Sequence, residues 1–282
     1  MSTELSLGYE MFSVAKLLHQ AIFLNGTLIK METWPNFNEK RVMLFERIEQ
    51  GFLRKVLAAH NKTPIECLYL ELGVIPFRFQ LMMRRIMYYH LLILRNESEL
   101  TRQILMCQKE SQVAGDFFSQ VQQDMITLEI NEHNIAACST NKLKDIIQQK
   151  MHQSAFLYLH QKAKLHSKVK HEMYTDMKGS SYFFDPRITS DKAKLIFQFR
   201  TRMYGVRNNF RNKYVCTLCP LCGQVEDSQE HLFQCHVISN YRIHNIATAT
   251  YEDIFSNDVE CLLRVVKDVQ EVIKIREELC PL

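Results

Sequence analysis

The chain has 282 residues, 46% hydrophobic and 23% charged, so it can bury a sizeable core and is no disordered tail. Eight glycines and six prolines leave few helix breakers, and nine cysteines with no signal-like leader fit a reducing compartment where thiols stay free or bind metal. No apolar run reaches bilayer length: the longest candidate, 75–94, is interrupted by Arg78, Arg84 and Arg85, so no membrane partner is expected.

In chain order the elements read as helices. Residues 9–29 carry apolar side chains at helical spacing, with an end or kink at Asn25–Gly26. A second helix is expected over 38–60, its buried stripe made of Val42, Leu44, Phe45, Ile48, Phe52, Leu53 and Val56. The stretch TPIECLYLELG is clearly punctuated. Thr63 reads as N-cap, Pro64 fits the first turn, Glu66 completes a capping box and Gly73 suits the left-handed C′ position. Pro76 opens the next helix, 76–94, which carries Arg84, Arg85, Tyr88 and Tyr89.

Shorter helices are expected over 98–112 and 116–128, then a longer one over 142–164. The region 171–188 reads as loop, with Tyr182, Phe183 and Phe184 packed beneath it. Ser190 is expected to cap a helix over 191–204 that Gly205 ends, and further helices span 229–246 and 258–278. Trp34 reads as a packing anchor. No alternating strand pattern and no internal repeat is present. The expected class is all-α: a multi-helix body with a small zinc-stapled insert near the C-terminus. A boundary near 179–185 would divide a helical region, 1–180, from a basic helix, metal insert and terminal helices, 181–282.

Net charge is only +4, but it is unevenly spread. Between Arg187 and Lys213 stand Arg187, Lys192, Lys194, Arg200, Arg202, Arg207, Arg211 and Lys213, opposed by Asp191 alone. A second basic stretch, QKAKLHSKVKH, covers 161–171. Either stretch could be a solvated helix face; together they point to a polyanion partner. Aromatic residues interleave with the cations, and Phe197 or Phe199 at least reads as core.

Residues 219–235 read CPLCGQVEDSQEHLFQC, placing Cys219, Cys222, His231 and Cys235 in the pattern C-x2-C-x8-H-x3-C. Three thiolates and one imidazole suit a closed, tetrahedral, structural Zn2+ site. Pro220 and Gly223 bracket a tight turn that lets both sulfurs face inward, and His231 and Cys235 are four residues apart, as on one helix face. Cys216 and His236 flank the set as substitute ligands. Elsewhere no paired carboxylates, Gly-rich phosphate loop or nucleophile elbow occurs, so catalysis by this chain is not expected.

Three segments in order carry a family resemblance. TPIECLYLELGVIPFRFQLMMRRIMYYHLLILRNESEL resembles the segment after the polymerase core of non-LTR (LINE-type) retrotransposon reverse transcriptases. LFQFRTRMYGVRNNFRNKY followed by CPLCGQVEDSQEHLFQC is similar to the arginine-rich approach and CCHC knuckle that close many of these polyproteins. LNGTLIKMETWPN and LFERIEQGFLRKVLAAH are similar to the thumb-like helices upstream, so the likeness spans about 9–236.

The resemblance implies zinc on Cys219, Cys222, His231 and Cys235. It also implies nucleic-acid contact by Arg84, Arg85, Arg200, Arg202, Arg207, Arg211 and Lys213, with DNA or an RNA–DNA duplex as partner and an intracellular, nuclear setting. The aromatic-x-Asp-Asp motif of the palm is absent, as is an endonuclease after the knuckle. What remains is expected to be a nucleic-acid-binding module without polymerase activity. The alternatives are a zinc-stapled protein-interaction module, or the C-terminal part of a longer active RNA-directed DNA polymerase.

Overall fold

The computed structural model describes residues 7–33, 38–166, 169–241 and 250–280. The chain is mostly helical, and no strand occurs among the described residues; one antiparallel bridge joins Leu218 and Glu226. Trp34, Lys168 and the last turns of the helix expected over 229–246 lie outside the described residues.

Helix α1 (Leu7–Leu18) runs into a π-helical turn, His19–Leu24, before a short helix at Asn25–Leu28. The expected kink is therefore a widened, underwound turn one step earlier in the chain. Helix α2 (Glu39–Val56) is capped by Asn38, whose side chain accepts from Arg41 N. Its inward face differs from the expected stripe. Val42, Glu46, Glu49 and Leu53 point in, while Leu44 and Ile48 are 56% and 60% exposed. The reason is electrostatic: both carboxylates have donors waiting. Glu46 accepts from Arg78 Nε at 2.6 Å, and Glu49 takes Tyr69 Oη at 2.7 Å and Phe77 N at 3.1 Å, with His19 Nε2 at 2.8 Å.

Helix α3 (Ile65–Leu72) ends at Gly73 in the left-handed conformation, φ 62°, as its sequence demands. Its start corrects the expectation. Pro64 occupies the N-cap, and the buried Thr63 hydroxyl has no hydrogen-bond partner, so no capping box forms. Glu66 instead faces His166 at 3.3 Å. Helix α4 (Phe77–Ile93) follows Pro76 as expected. It packs against α2, α5 (Leu100–Ser111), α6 (Phe117–Thr127, capped by Asp116) and α8 (Thr140–Ala163). The short α7 (Glu132–Ala137) had no sequence counterpart.

Residues 171–188 form two 3-10 turns, with Tyr182 and Phe183 buried beneath. Here the chain crosses α3 at very short range. A Cβ on Gly73 would lie 2.5 Å from the Lys178 carbonyl carbon, and one on Gly179 2.8 Å from Gly73 N. Only glycine permits that approach. Ser180 N donates to Glu71 O at 2.7 Å, and the buried Glu71 carboxylate accepts from Tyr174 Oη (2.9 Å) and Tyr182 Oη (2.7 Å). Position 180, where the regions 1–180 and 181–282 were expected to divide, is thus bonded to α3. One apolar core runs from Phe12 through Ile86 and Phe183 to Ile275.

Helix α9 (Ser190–Arg200) starts from Thr189 rather than Ser190, and no side chain caps it. It stops four residues short of the expected end, where Arg202 takes a positive φ of 56°. Helices α10 (Gln229–Gln234) and α11 (His236–Tyr241) replace the expected continuous helix, and α12 (Val259–Leu279), capped by Asp258, closes the fold.

Candidate metal centre

Residues 217–227 form a two-sided loop. Asp227 N donates to Thr217 O at 2.8 Å, and Cys219 N donates to Val225 O at 2.7 Å. Between them the chain reverses at Gly223, φ 65°, whose amide donates to Cys219 O at 2.9 Å. This is the tight turn that Pro220 and Gly223 foretold. It aims four backbone amides at sulfur: those of Cys222 and Leu221 at Cys219, and those of Gln224 and Val225 at Cys222.

Ser228 then starts α10 with its side chain accepting from His231 N at 3.1 Å, which fixes the ring position. Cys235 corrects one expectation. It lies past the end of α10 in extended backbone, φ −63° and ψ 119°, so it shares no helix face with His231. The break lets its sulfur turn back to 4.0 Å from Cys219 Sγ, while His231 Nε2 lies 3.3 Å from Cys222 Sγ.

The four ligand atoms all fall within 4.8 Å of one another, and three of the four residues are buried. Metal–sulfur bonds of about 2.3 Å in a tetrahedron would put sulfurs roughly 3.8 Å apart, which this cluster matches. The set could hold a metal ion. Cys216 and His236, the candidate substitutes, are exposed and do not join it. Electrostatics differ between the paired thiols. Burial pushes the Cys219 thiol up to about 11, whereas the Gln224 amide, with help from Val225 and His231, draws Cys222 down to about 6.

One residue that holds the loop was not legible. Asp227 is fully buried; its carboxylate accepts from Arg207 N at 2.8 Å and, in a two-pronged pair, from Arg276 at 2.9 and 2.7 Å. Its own carbonyl accepts from Asn208 N at 3.0 Å. One carboxylate therefore ties the loop both to the basic segment and to α12. Nothing local in the sequence announces a partner 49 residues away.

The basic residues fall into three groups. Arg200 and Arg85 are corrections. Arg200 is 1% exposed, donating to Ile254 O, Ser256 O and Ser180 Oγ beside Glu71. Arg85 is buried in a two-pronged pair with Asp124 at 2.6 and 2.8 Å. Neither reaches a ligand at the surface. The signal existed: Arg200 shares the inward stripe of Ala193, Ile196 and Phe197, and Arg85 stands four residues from Leu81 and Tyr89.

Arg202 is half-buried, paired with Glu230 and lying over the Tyr251 ring. Arg84 donates to Asn25 Oδ1 and Leu28 O, well away in the helical body. Arg207, Arg211 and Lys213 share a 3-10 segment, Arg207–Lys213, ahead of the Cys/His cluster. Arg211 pairs with Glu226 at 3.0 Å. Arg207 donates to Leu218 O and stands 5.7 Å from the centre of the exposed Tyr214 ring; Lys213 lies over Phe210. Phe197 and Phe199 are both core, and Tyr204 stacks on Phe199 at 4.5 Å.

No family model, curated protein or solved structure matches the chain. No described helix is long and apolar enough to cross a membrane.

Proposed function

We propose that the chain binds nucleic acid through residues 207–215, held in place by a structural Zn2+ ion on Cys219, Cys222, His231 and Cys235. The observation that carries this reading is Arg207 beside the exposed ring of Tyr214 directly ahead of the Cys/His cluster, with Lys213 on the same short segment. Cations beside an open aromatic face serve phosphate contact and base stacking together. The donor set, three sulfurs and one imidazole, is the one zinc favours in closed sites. The order of segments resembling a retrotransposon reverse transcriptase adds to the reading. On this reading polymerase chemistry belongs to another part of such an enzyme.

Fluorescence anisotropy with labelled duplex and single-stranded probes across a salt series tests it. Binding should weaken steeply with salt, and the pair Arg207→Ala, Lys213→Ala should flatten the log–log slope by roughly two phosphate contacts. Zinc content should fall in Cys219→Ser. Absent binding at low ionic strength with metal-loaded protein overturns the reading. A second reading, a protein partner, draws on the exposed Val215, Leu218 and Val225 in the same loop. In that case the charge variants leave partner binding intact, and serine at those three positions abolishes it.

A further inference from the structure

A cavity of about 840 Å³ opens in the helical body, walled by the turn His19–Leu24, α4, α8 and the loop 175–178. Its size falls within the range of small-molecule sites, and one wall is π-helical, a distortion common at functional sites. None of its lining residues belongs to the segment 207–235.

Its charges are unbalanced. Lys16 Nζ donates to Leu72 O at 3.3 Å and lies 5.2 Å from the centre of the Phe184 ring. Arg84 donates to Asn25 Oδ1 at 2.9 Å and Leu28 O at 3.3 Å. Both cations face neutral acceptors. The one carboxylate in the lining, Asp176, is already engaged by Lys178 at 3.5 Å. Burial lowers the Lys16 pKa, and burial together with the Lys16 charge lowers that of His152, signs of positive charge held in a partly desolvated space.

The rest of the lining is equally selective. Gln20, Gln80, Gln148 and Gln153 bring amide groups able both to donate and to accept, over an apolar floor that includes Ile75, Met83 and Met151. Cations for an anion, amides for a polar edge and an apolar floor for a flat ring suit one class of ligand.

We infer that this cavity binds a phosphate-bearing nucleotide unit, with Lys16 and Arg84 on the phosphate and the glutamine amides on the base edge. The unit could be a free nucleotide or one residue of a single strand. The site stands apart from the proposed interface at 207–215 and does not depend on it.

Isothermal titration of the full, metal-loaded chain with ATP, with a 5′-phosphorylated tetranucleotide and with inorganic phosphate tests the assignment. Lys16→Gln and Arg84→Gln should each weaken binding by about tenfold or more, the scale of a charge-assisted contact. Lys178→Gln, an exposed position, should weaken it a few-fold without affecting the thermal melt, while Lys267→Gln, exposed on α12 and outside the lining, should leave it unchanged. Saturation by ATP assigns a free nucleotide, and saturation by the tetranucleotide alone assigns a strand; either supports the site when Lys16→Gln weakens it. No saturable binding by either at millimolar concentration overturns it. So does binding indifferent to Lys16→Gln and Lys178→Gln, or capture of inorganic phosphate alone.

Discussion

The helical body and the segment 207–235 are held together by different means. In the body, buried carboxylates fix the helix crossings: Glu49 joins α2 to α4, Glu71 joins α3 to the 174–182 loop, and Asp124 joins α6 to α4. Each sits in a continuous apolar core. The segment 207–235 is largely irregular, and its buried hydrophobic residues are only Phe210, Cys219, Leu232 and Cys235, two of them members of the Cys/His cluster. Where helices supply little apolar area, the Asp227 carboxylate ties the segment in, and a metal on the four clustered donor atoms would do the same.

Metal removal should break that contrast most. Chelation, or Cys219→Ser, should abolish hydrogen-exchange protection across 207–241 and leave α4 and α8 protected, since structural zinc contributes on the order of 10 kcal/mol in small domains. Uniform loss of protection, or none, would contradict the division. Glu71→Ala comes next. It strands Arg200 and two tyrosine hydroxyls in the core, at about 3–5 kcal/mol in denaturant unfolding, whereas Glu71→Gln should cost clearly less.

Asp227→Ala should cost about 2–3 kcal/mol, since the Arg276 guanidinium and the Arg207 amide lose their acceptor. Its signature is protection lost over 207–215 and at α12 with zinc content retained; simultaneous metal loss would show that Asp227 shapes the ligand set itself. The smallest effect concerns Glu132, whose pKa is lowered by its bond from Lys109 and then by Tyr89. A depressed carboxylate pKa stabilises the fold above its unfolded value and loses that contribution as pH falls through the folded one. The Glu132 side chain is 40% exposed, so Glu132→Gln should remove less than about 1 kcal/mol, visible only as a flatter acid limb below pH 4.5. An unchanged limb would show the pair to be idle.

Spacing and punctuation made much of this legible. The ligand set, the Gly223 turn, the Gly73 stop and the helix opened by Pro76 follow from local chemistry that neighbouring residues dictate. What was hidden depends on distant partners. Leu44 and Ile48 gave α2 a plausible apolar stripe, but His19, Tyr69 and Arg78 turn its carboxylates inward. Arg200 looked like a phosphate contact until Glu71 and the 254–256 carbonyls enclosed it. Cys235 still reaches the cluster from a different backbone, because a sulfur after a helix end can turn where one inside the helix cannot.

The inward carboxylates reach beyond stability. Among the described residues six acidic side chains are buried, namely Glu46, Glu49, Glu71, Asp124, Asp227 and Asp268, against two arginines, Arg85 and Arg200. Negative charge is thus concentrated inside and positive charge is left at the perimeter. Seen from several Debye lengths away the molecule is nearly neutral for its size. A polyanion that has come within about 8 Å would meet an outer layer somewhat richer in cations than the net +4 implies. On the proposed reading, such layering would make attraction short-ranged, felt only once the partner is near contact.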